Sequence, residues 1–313
     1  MAARAERGEA RLLDRDREVG HVLERLAAAR EGTGSVLLIE GPSGIGKTEL
    51  LLAARRAALG HDMDVAWARG AELEREFAFG VVRQLFEPIV AGEAETTAFE
   101  GAADHARAVF EVRSGEEPAG SAPRAGSFAV LHGLYWLCAN VAERSPLLVA
   151  VDDAHWSDLA SLEFVAYLAR RVTELQVAMV VASRPAEGSA QERLLDDLRE
   201  DPSAVVIRPA PLGGSAVAEL MAGETGGDPD TGFVDACCAA TSGNPFLVRE
   251  LARHVRDQGI RPSVDAADEI RAMGPRTVAR RVISRLRSLS PAAVPIARAA
   301  AVLGLDATVH RIA

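Results

Sequence analysis

Ser35-Val36-Leu37-Leu38-Ile39-Glu40 is an apolar run that passes directly into Gly41-Pro42-Ser43-Gly44-Ile45-Gly46-Lys47-Thr48. No other segment restricts the fold as much. The second stretch fits G-x-x-x-x-G-K-[ST]. Its flanks suit that reading, with a buried strand before it and a helix from Lys47 to about Leu59 after it. A strand, a tight glycine turn and a helix N-terminus aim several backbone N–H groups at one point, which suits a phosphate. Composition sharpens the reading, because Lys47 is the only lysine among 35 basic residues. A compact ammonium on a flexible stem fits inside such a loop, where a planar guanidinium fits poorly. The expected nucleotide contacts are Gly41, Pro42, Ser43, Gly44, Ile45, Gly46, Lys47, Thr48 and Glu49. Gly44 and Gly46 permit close backbone approach, Lys47 bridges β- and γ-oxygens, and Thr48 ligates Mg²⁺. The competing reading is a glycine turn capped by a helix, with no ligand.

The flanking pattern predicts the architecture. After the first strand come a second at Asp64–Arg69, helices to about residue 110, and a loop over residues 113–126. A helix at Phe128–Val141, a strand at Leu147–Val151, a helix at Ser157–Arg171 and strands at Val177–Val181 and Ala204–Ile207 follow. Uninterrupted apolar strands alternating with helices predict an α/β fold with a parallel sheet covered on both faces. Residues 1–34 form a charged N-terminal segment whose Val19, Val22, Leu23 and Leu26 share one helix face. From Pro211 onward strands give way to short helices punctuated by Gly213-Gly214, Gly226-Gly227-Asp228-Pro229 and Gly243-Asn244-Pro245. Apolar positions over 277–289 are again helix-spaced, and residues 302–313 open a further helical pattern. The expected domains are 1–34, a core at 35–210, a helical unit at 211–288 and the start of another unit at 289–313.

A net charge of −10 argues against a general nucleic-acid surface. The arginine-rich stretch 249–287 reads as solvated helix faces, with a phosphate-contacting face as the alternative. Cys138, Cys237 and Cys238 lack disulfide or metal spacing and are expected as small core residues of a reducing compartment. The first residues hold no apolar block, and no run approaches the roughly 18 apolar residues of a membrane span. A cytoplasmic location is expected.

A phosphate loop needs a partner strand ending in an acid that faces the metal. Leu147–Val151 followed by Asp152-Asp153 supplies it. Asp152 is the expected Mg²⁺ ligand, and Asp153 the residue that positions or deprotonates a water; the alternative for both is a helix N-cap after a core strand. Aspartate is shorter than glutamate, so slow hydrolysis is expected. Arg184 leaves the end of the next strand, where parallel sheets present their ligand crevice. It reads either as a γ-phosphate sensor or as a surface ion pair. Arg170 and Arg171 complement a helix dipole, and His155 and Trp156 read as packing residues, with a catalytic role as the alternative.

Together these loci resemble the signal-transducing ATPases with numerous domains, a branch of the AAA+-related P-loop proteins. Within it, they are most similar to the ATPase module of large ATP-binding LuxR-type transcriptional regulators. The resemblance rests on Leu12-Leu13-Asp14-Arg15-Asp16-Arg17-Glu18, the Gly70–Phe86 segment, Val151-Asp152-Asp153-Ala154-His155-Trp156-Ser157-Asp158, Ser183-Arg184-Pro185, and Thr241-Ser242-Gly243-Asn244-Pro245-Phe246. It covers about residues 12–300. It implies a P-loop NTPase core, an all-helical lid and the start of a winged-helix unit, with ATP or ADP and Mg²⁺ as ligands. It also places Gly243, Pro245, Leu13 and Arg15 at the adenine. Asp14 departs from the family's glycine, so its local turn is expected to differ. The resemblance implies the N-terminal part of a longer regulator, with DNA bound only by a domain beyond Ala313 and self-association in the ATP state. The alternatives are the same module joined to a cyclase or kinase output, and a plain catalytic ATPase or phosphotransferase.

Overall fold

The structure, a computed structural model, describes residues 12–91, 95–111, 127–185 and 190–272. The expected 113–126 loop, the 277–289 helix and the 289–313 segment lie outside the described residues. The chain divides into two compact units, Met1–Ala210 and Pro211–Ala313.

In the first unit the apolar runs become a five-stranded sheet. The strands are β1 (Ser35–Glu40), β2 (Asp64–Arg69), β3 (Leu147–Asp152), β4 (Val177–Ser183) and β5 (Ala204–Ile207). Their order is β2-β3-β4-β1-β5 and every pairing is parallel. Parallel neighbours require crossovers, and the longer helices of the unit are α1 (Asp16–Arg30), α2 (Lys47–Gly60), α3 (Gly80–Val90), α4 (Phe128–Arg144), α5 (Leu159–Ala169) and α6 (Ala190–Glu200).

Side chains alternate across a strand, so each central strand feeds two cores. Leu37, Ile39, Leu148, Ala150, Ala178 and Val180 face α1 and α2, which answer with Val22, Leu26, Leu50 and Leu51. Val36, Leu38, Val149, Val151, Met179 and Val181 face the other layer, where Phe86 of α3, Leu134 of α4, Phe164 of α5 and Leu195 of α6 pack. Double coverage is why β1, β3 and β4 are apolar at nearly every position. The edge strand β2 departs from the uninterrupted pattern, with Asp64 and Arg69 exposed and only Ala66 and Ala68 buried. Leu23 also departs from expectation. It is 42% exposed, because α1 buries Val22, Leu26 and Ala29 and turns Leu23 off that stripe.

The second unit, over its described residues, is helical: α7 (Gly214–Thr225), α8 (Thr231–Thr241) and α9 (Pro245–Asp257) are its longer helices. Phe233, Cys237, Val248, Leu251 and Val255 are buried there. Cys138 and Cys237 are core residues as expected, whereas Cys238 is only half-buried. Among the described residues no helix is long and apolar enough to cross a membrane.

Candidate functional site

Four strand ends meet along one edge of the sheet. β1 runs into the glycine loop, and Gly41 N donates to Ser183 O of β4 at 3.3 Å. Gly70 N, just past β2, donates to Asp152 O of β3 at 2.9 Å. The loop, Asp152, Arg184 and Arg69 are thereby held at neighbouring strand ends.

Within the loop Gly44 and Gly46 stand at φ 80° and 104°, a region closed to most side chains. Gly46 is also the N-cap of α2 and offers no side chain, so the first-turn N–H groups have no side-chain cap. Glu49 is exposed in that turn. Lys47 is 6% exposed, and its ammonium donates to Gly41 O at 2.8 Å and Pro42 O at 3.0 Å. Burial, aided by the Arg184 charge, lowers its pKa; Asp153 and Asp152 work against that shift.

Thr48 Oγ1 donates to Asp152 Oδ2 at 2.9 Å, joining the first turn of α2 to the end of β3. Asp152 is 1% exposed, and its Oδ1 accepts from Asp153 N at 2.9 Å. Burial raises the pKa of Asp152, the Thr48 bond opposes the rise, and the Asp153 charge adds to it. Asp153 adopts a left-handed backbone at φ 49°. Its carboxylate accepts from Arg69 Nη2 at 2.8 Å and Nε at 3.2 Å.

His155 is 8% exposed and its Nδ1 accepts from Arg184 N at 3.4 Å. Among the described residues the Arg184 guanidinium has no ion-pair partner, and its Nε is buried without a hydrogen bond. Among the described residues the surface ion pair offered as an alternative for Arg184 does not form. Arg170 pairs with Asp197 at 2.9 Å, and Arg171 Nη1 donates to Tyr167 O at 3.1 Å, away from the loop.

Arg15 is 4% exposed, and its Nη2 donates to Ile45 O of the loop at 3.1 Å and to Ala210 O at 2.7 Å. Burial lowers its pKa. Leu13 is half-buried beside it in sequence. Asp14 takes the left-handed conformation, φ 52°, that glycine adopts at least cost, so the departure from glycine keeps a glycine-like turn. In the second unit Gly243 stands at φ 65°, where an added Cβ would meet Leu212 O at 2.5 Å. Asn244 caps α9 by accepting from Phe246 N and Leu247 N, and Pro245 begins the helix.

Three residues at the first unit's site escaped the sequence reading. Arg69 ends β2 in register with Asp152, and the rule that singled out Arg184, that parallel strand ends face the ligand, applies to it equally. An added Cβ on Gly70 would meet Asp153 O at 2.5 Å. Asp158 accepts from Ser161 N at the start of α5, and across the fold from Phe79 N and Val81 N. The segments Gly70–Phe86 and Val151–Asp158 are thus bonded to each other.

The AAA ATPase domain family matches residues 11–181, which span the loop, Asp152 and Asp153. The chain belongs to this AAA ATPase domain family. An uncharacterized protein of Rhizobium meliloti (strain 1021) is 27% identical over 95% of this chain, and the chain spans 30% of that relative's length. Among solved structures, the Orc1 protein of Aeropyrum pernix, determined in complex with DNA, is 19% identical. It aligns over 97% of this chain and 76% of its own at a TM-score of 0.51, a likeness of fold. A signal transduction ATPase with numerous domains from Pyrococcus horikoshii, carrying a tetratricopeptide repeat sensor, is 16% identical. It aligns over 73% of this chain and 28% of its own at a TM-score of 0.46.

As an AAA ATPase, the chain binds nucleotide, and its donor set suits magnesium as the counter-ion. Thr48 and Asp152 are hard oxygen donors, and Mg²⁺ takes few protein ligands because it retains waters and phosphate oxygens. The left-handed glycines, the first turn of α2 without a side-chain cap and an Arg184 that has no ion pair among the described residues all suit an anion.

Proposed function

We propose that this AAA ATPase module is a nucleotide-dependent switch with slow ATP hydrolysis, forming the nucleotide-binding part of a LuxR-type transcriptional regulator. The observation that carries the site assignment is the 2.9 Å bond between Thr48 Oγ1 and Asp152 Oδ2, which joins two elements far apart in sequence at the mouth of the glycine loop.

In this reading the loop N–H groups and Lys47 bind the β- and γ-phosphates, and the Lys47 ammonium leaves the Gly41 and Pro42 carbonyls to do so. Thr48 and Asp152 would hold Mg²⁺, which when bound would supply positive charge to neutralise the phosphates. Asp153 orients a water and accepts its proton. Leu13, Arg15, Gly243 and Pro245 are proposed to contact the adenine, as the family resemblance implies. A ligand shifts a conformational equilibrium only by binding two states unequally. ATP and ADP differ by the γ-phosphate, so the groups that read it, Lys47 and Arg184, carry the switch. ATP favours self-association, and DNA contact belongs to another domain of the longer protein. The Arg69 hold on Asp153 accords with turnover being secondary to nucleotide state.

Lys47→Ala tests the reading. We expect an unchanged melting profile without nucleotide and at least a 100-fold loss of ADP affinity by calorimetry, about 3 kcal/mol on a charge-assisted contact. Retention of parental ADP affinity would remove the loop from the nucleotide site.

A further inference from the structure

We infer that His155 is a positioning residue for Arg184, fixing the chain as it leaves β4 so that the guanidinium is presented to the γ-phosphate. The inference rests on the switch reading given above.

Two contacts constrain the Arg184 main chain. Its N–H donates to His155 Nδ1 at 3.4 Å, and its carbonyl accepts from Ser183 Oγ at 3.0 Å. The side chain is treated in the opposite way, with no ion pair among the described residues and a buried Nε lacking a hydrogen-bond partner. A backbone tied at both polar atoms, bearing an uncommitted cation, is suited to meet an anion with little loss of order on binding.

His155 has the chemistry to serve as the tie. It lies in the short turn Ala154–Trp156 that follows β3, so its bond to Arg184 links the ends of adjacent strands β3 and β4. Burial and the neighbouring Arg184, Lys47 and Arg75 charges lower its pKa to about 4, with Asp153 opposing, so the ring is neutral near pH 7. A neutral imidazole that accepts at Nδ1 carries its proton on Nε2. Nε2 is buried without a partner among the described residues, so the bond at Nδ1 is the polar contact that orients the ring. Packing supplies the remainder. The imidazole centroid is 5.1 Å from that of Trp156, and the Arg75 guanidinium stacks on Trp156 at 5.2 Å. Any flat apolar ring would satisfy the packing; only an acceptor at the Nδ1 position holds Arg184.

The test compares Mg²⁺-ADP with a non-hydrolysable Mg²⁺-ATP analogue by calorimetry on the 313-residue chain, with melting temperature recorded for each variant. Arg184→Ala should lower the preference for the ATP analogue over ADP about tenfold, the effect of a charge-assisted hydrogen bond. His155→Phe keeps the ring and removes the acceptor, and should lower the same preference about fivefold while ADP affinity stays put. His155→Asn, whose carbonyl occupies the Nδ1 position, should restore it, and His155→Phe added to Arg184→Ala should change nothing further. Should His155→Phe fail to fold, His155→Gln replaces it, since its carbonyl reaches the Nε2 position; Gln should lose the preference that Asn keeps. If Arg184→Ala erases the preference while the acceptor-free variants retain it, or if Asn and Phe behave alike, the positioning role is wrong. If Arg184→Ala itself has no effect, the switch reading fails first.

Discussion

At the scale of single residues, the proposed function makes Arg69 and Asp153 the pair that sets the terms of turnover. Arg69 donates twice to one oxygen of Asp153 and stands 3.8 Å from Asp152 Oδ2. The hydrogen bond to Asp153 raises the Arg69 pKa, so the guanidinium is charged at neutral pH. A carboxylate bound to a guanidinium is a poorer proton acceptor than a free one. Because the Arg69 side chain is 63% exposed, the pair is worth at most about 1 kcal/mol. Arg69→Ala should therefore speed ATP hydrolysis up to about fivefold, whereas Asp153→Ala should slow it at least about 100-fold. Single-turnover phosphate release separates the two, and a slower Arg69→Ala enzyme would mean that the arginine holds Asp153 in its working pose. Asp152, Asp153 and Lys47 were legible from sequence because their motif is contiguous or ends an apolar strand. Arg69 was not, because its role depends on β2 lying beside β3.

At the scale of elements, Asp158 joins two helices that sequence reading treats separately. Its carboxylate is 3% exposed, accepts from Ser161 N at 2.8 Å as the N-cap of α5, and accepts from Phe79 N and Val81 N at the start of α3. Phe79 stands in the left-handed region at φ 61°, and the bond from its N–H to Asp158 helps to hold that strained turn. Removing the carboxylate strands three buried donors. Asp158→Ala is expected to cost about 3 kcal/mol and to lower the melting temperature by about 6–12 °C. Asp158→Asn, which keeps one acceptor, should lose less than half of that in the same scanning-calorimetry experiment. Equal losses in both variants would show that charge, not the number of accepted bonds, matters there. Asp158 also explains why α5 starts at Leu159 and not at Ser157. The expected start is Ser157, and the carboxylate of Asp158 sets it at Leu159 by accepting from Ser161 N as well as from Phe79 N and Val81 N.

At the scale of the whole molecule, the proposed switch predicts a change of assembly with nucleotide. Size-exclusion chromatography with light scattering should report a monomer mass with Mg²⁺-ADP and a higher mass with a non-hydrolysable ATP analogue, and Arg184→Ala should remain at the ADP mass in both. A mass independent of nucleotide in the parent chain would leave a nucleotide-binding ATPase without this output. The described architecture bears on where such a signal begins. In the proposed reading the groups that read the γ-phosphate, Lys47 and Arg184, lie just past the ends of β1 and β4, which pair along Ser35–Glu40 with Ala178–Ser183.

The sequence by itself determined the identity of each central strand, the glycine loop after β1 and the acid pair at the end of β3, although β3 runs on to Asp152 and β4 to Ser183, past the expected Val151 and Val181. These are local properties: apolar runs buried on both faces, a glycine turn with two left-handed positions, and a lysine where no arginine fits. The tertiary structure alone decided which strand ends became neighbours. The order β2-β3-β4-β1-β5 puts Arg69 against Asp153, His155 against Arg184 and Asp158 beneath Phe79. Strand order follows from how two layers of helices close over a shared sheet, and no short-range periodicity in the chain carries that information.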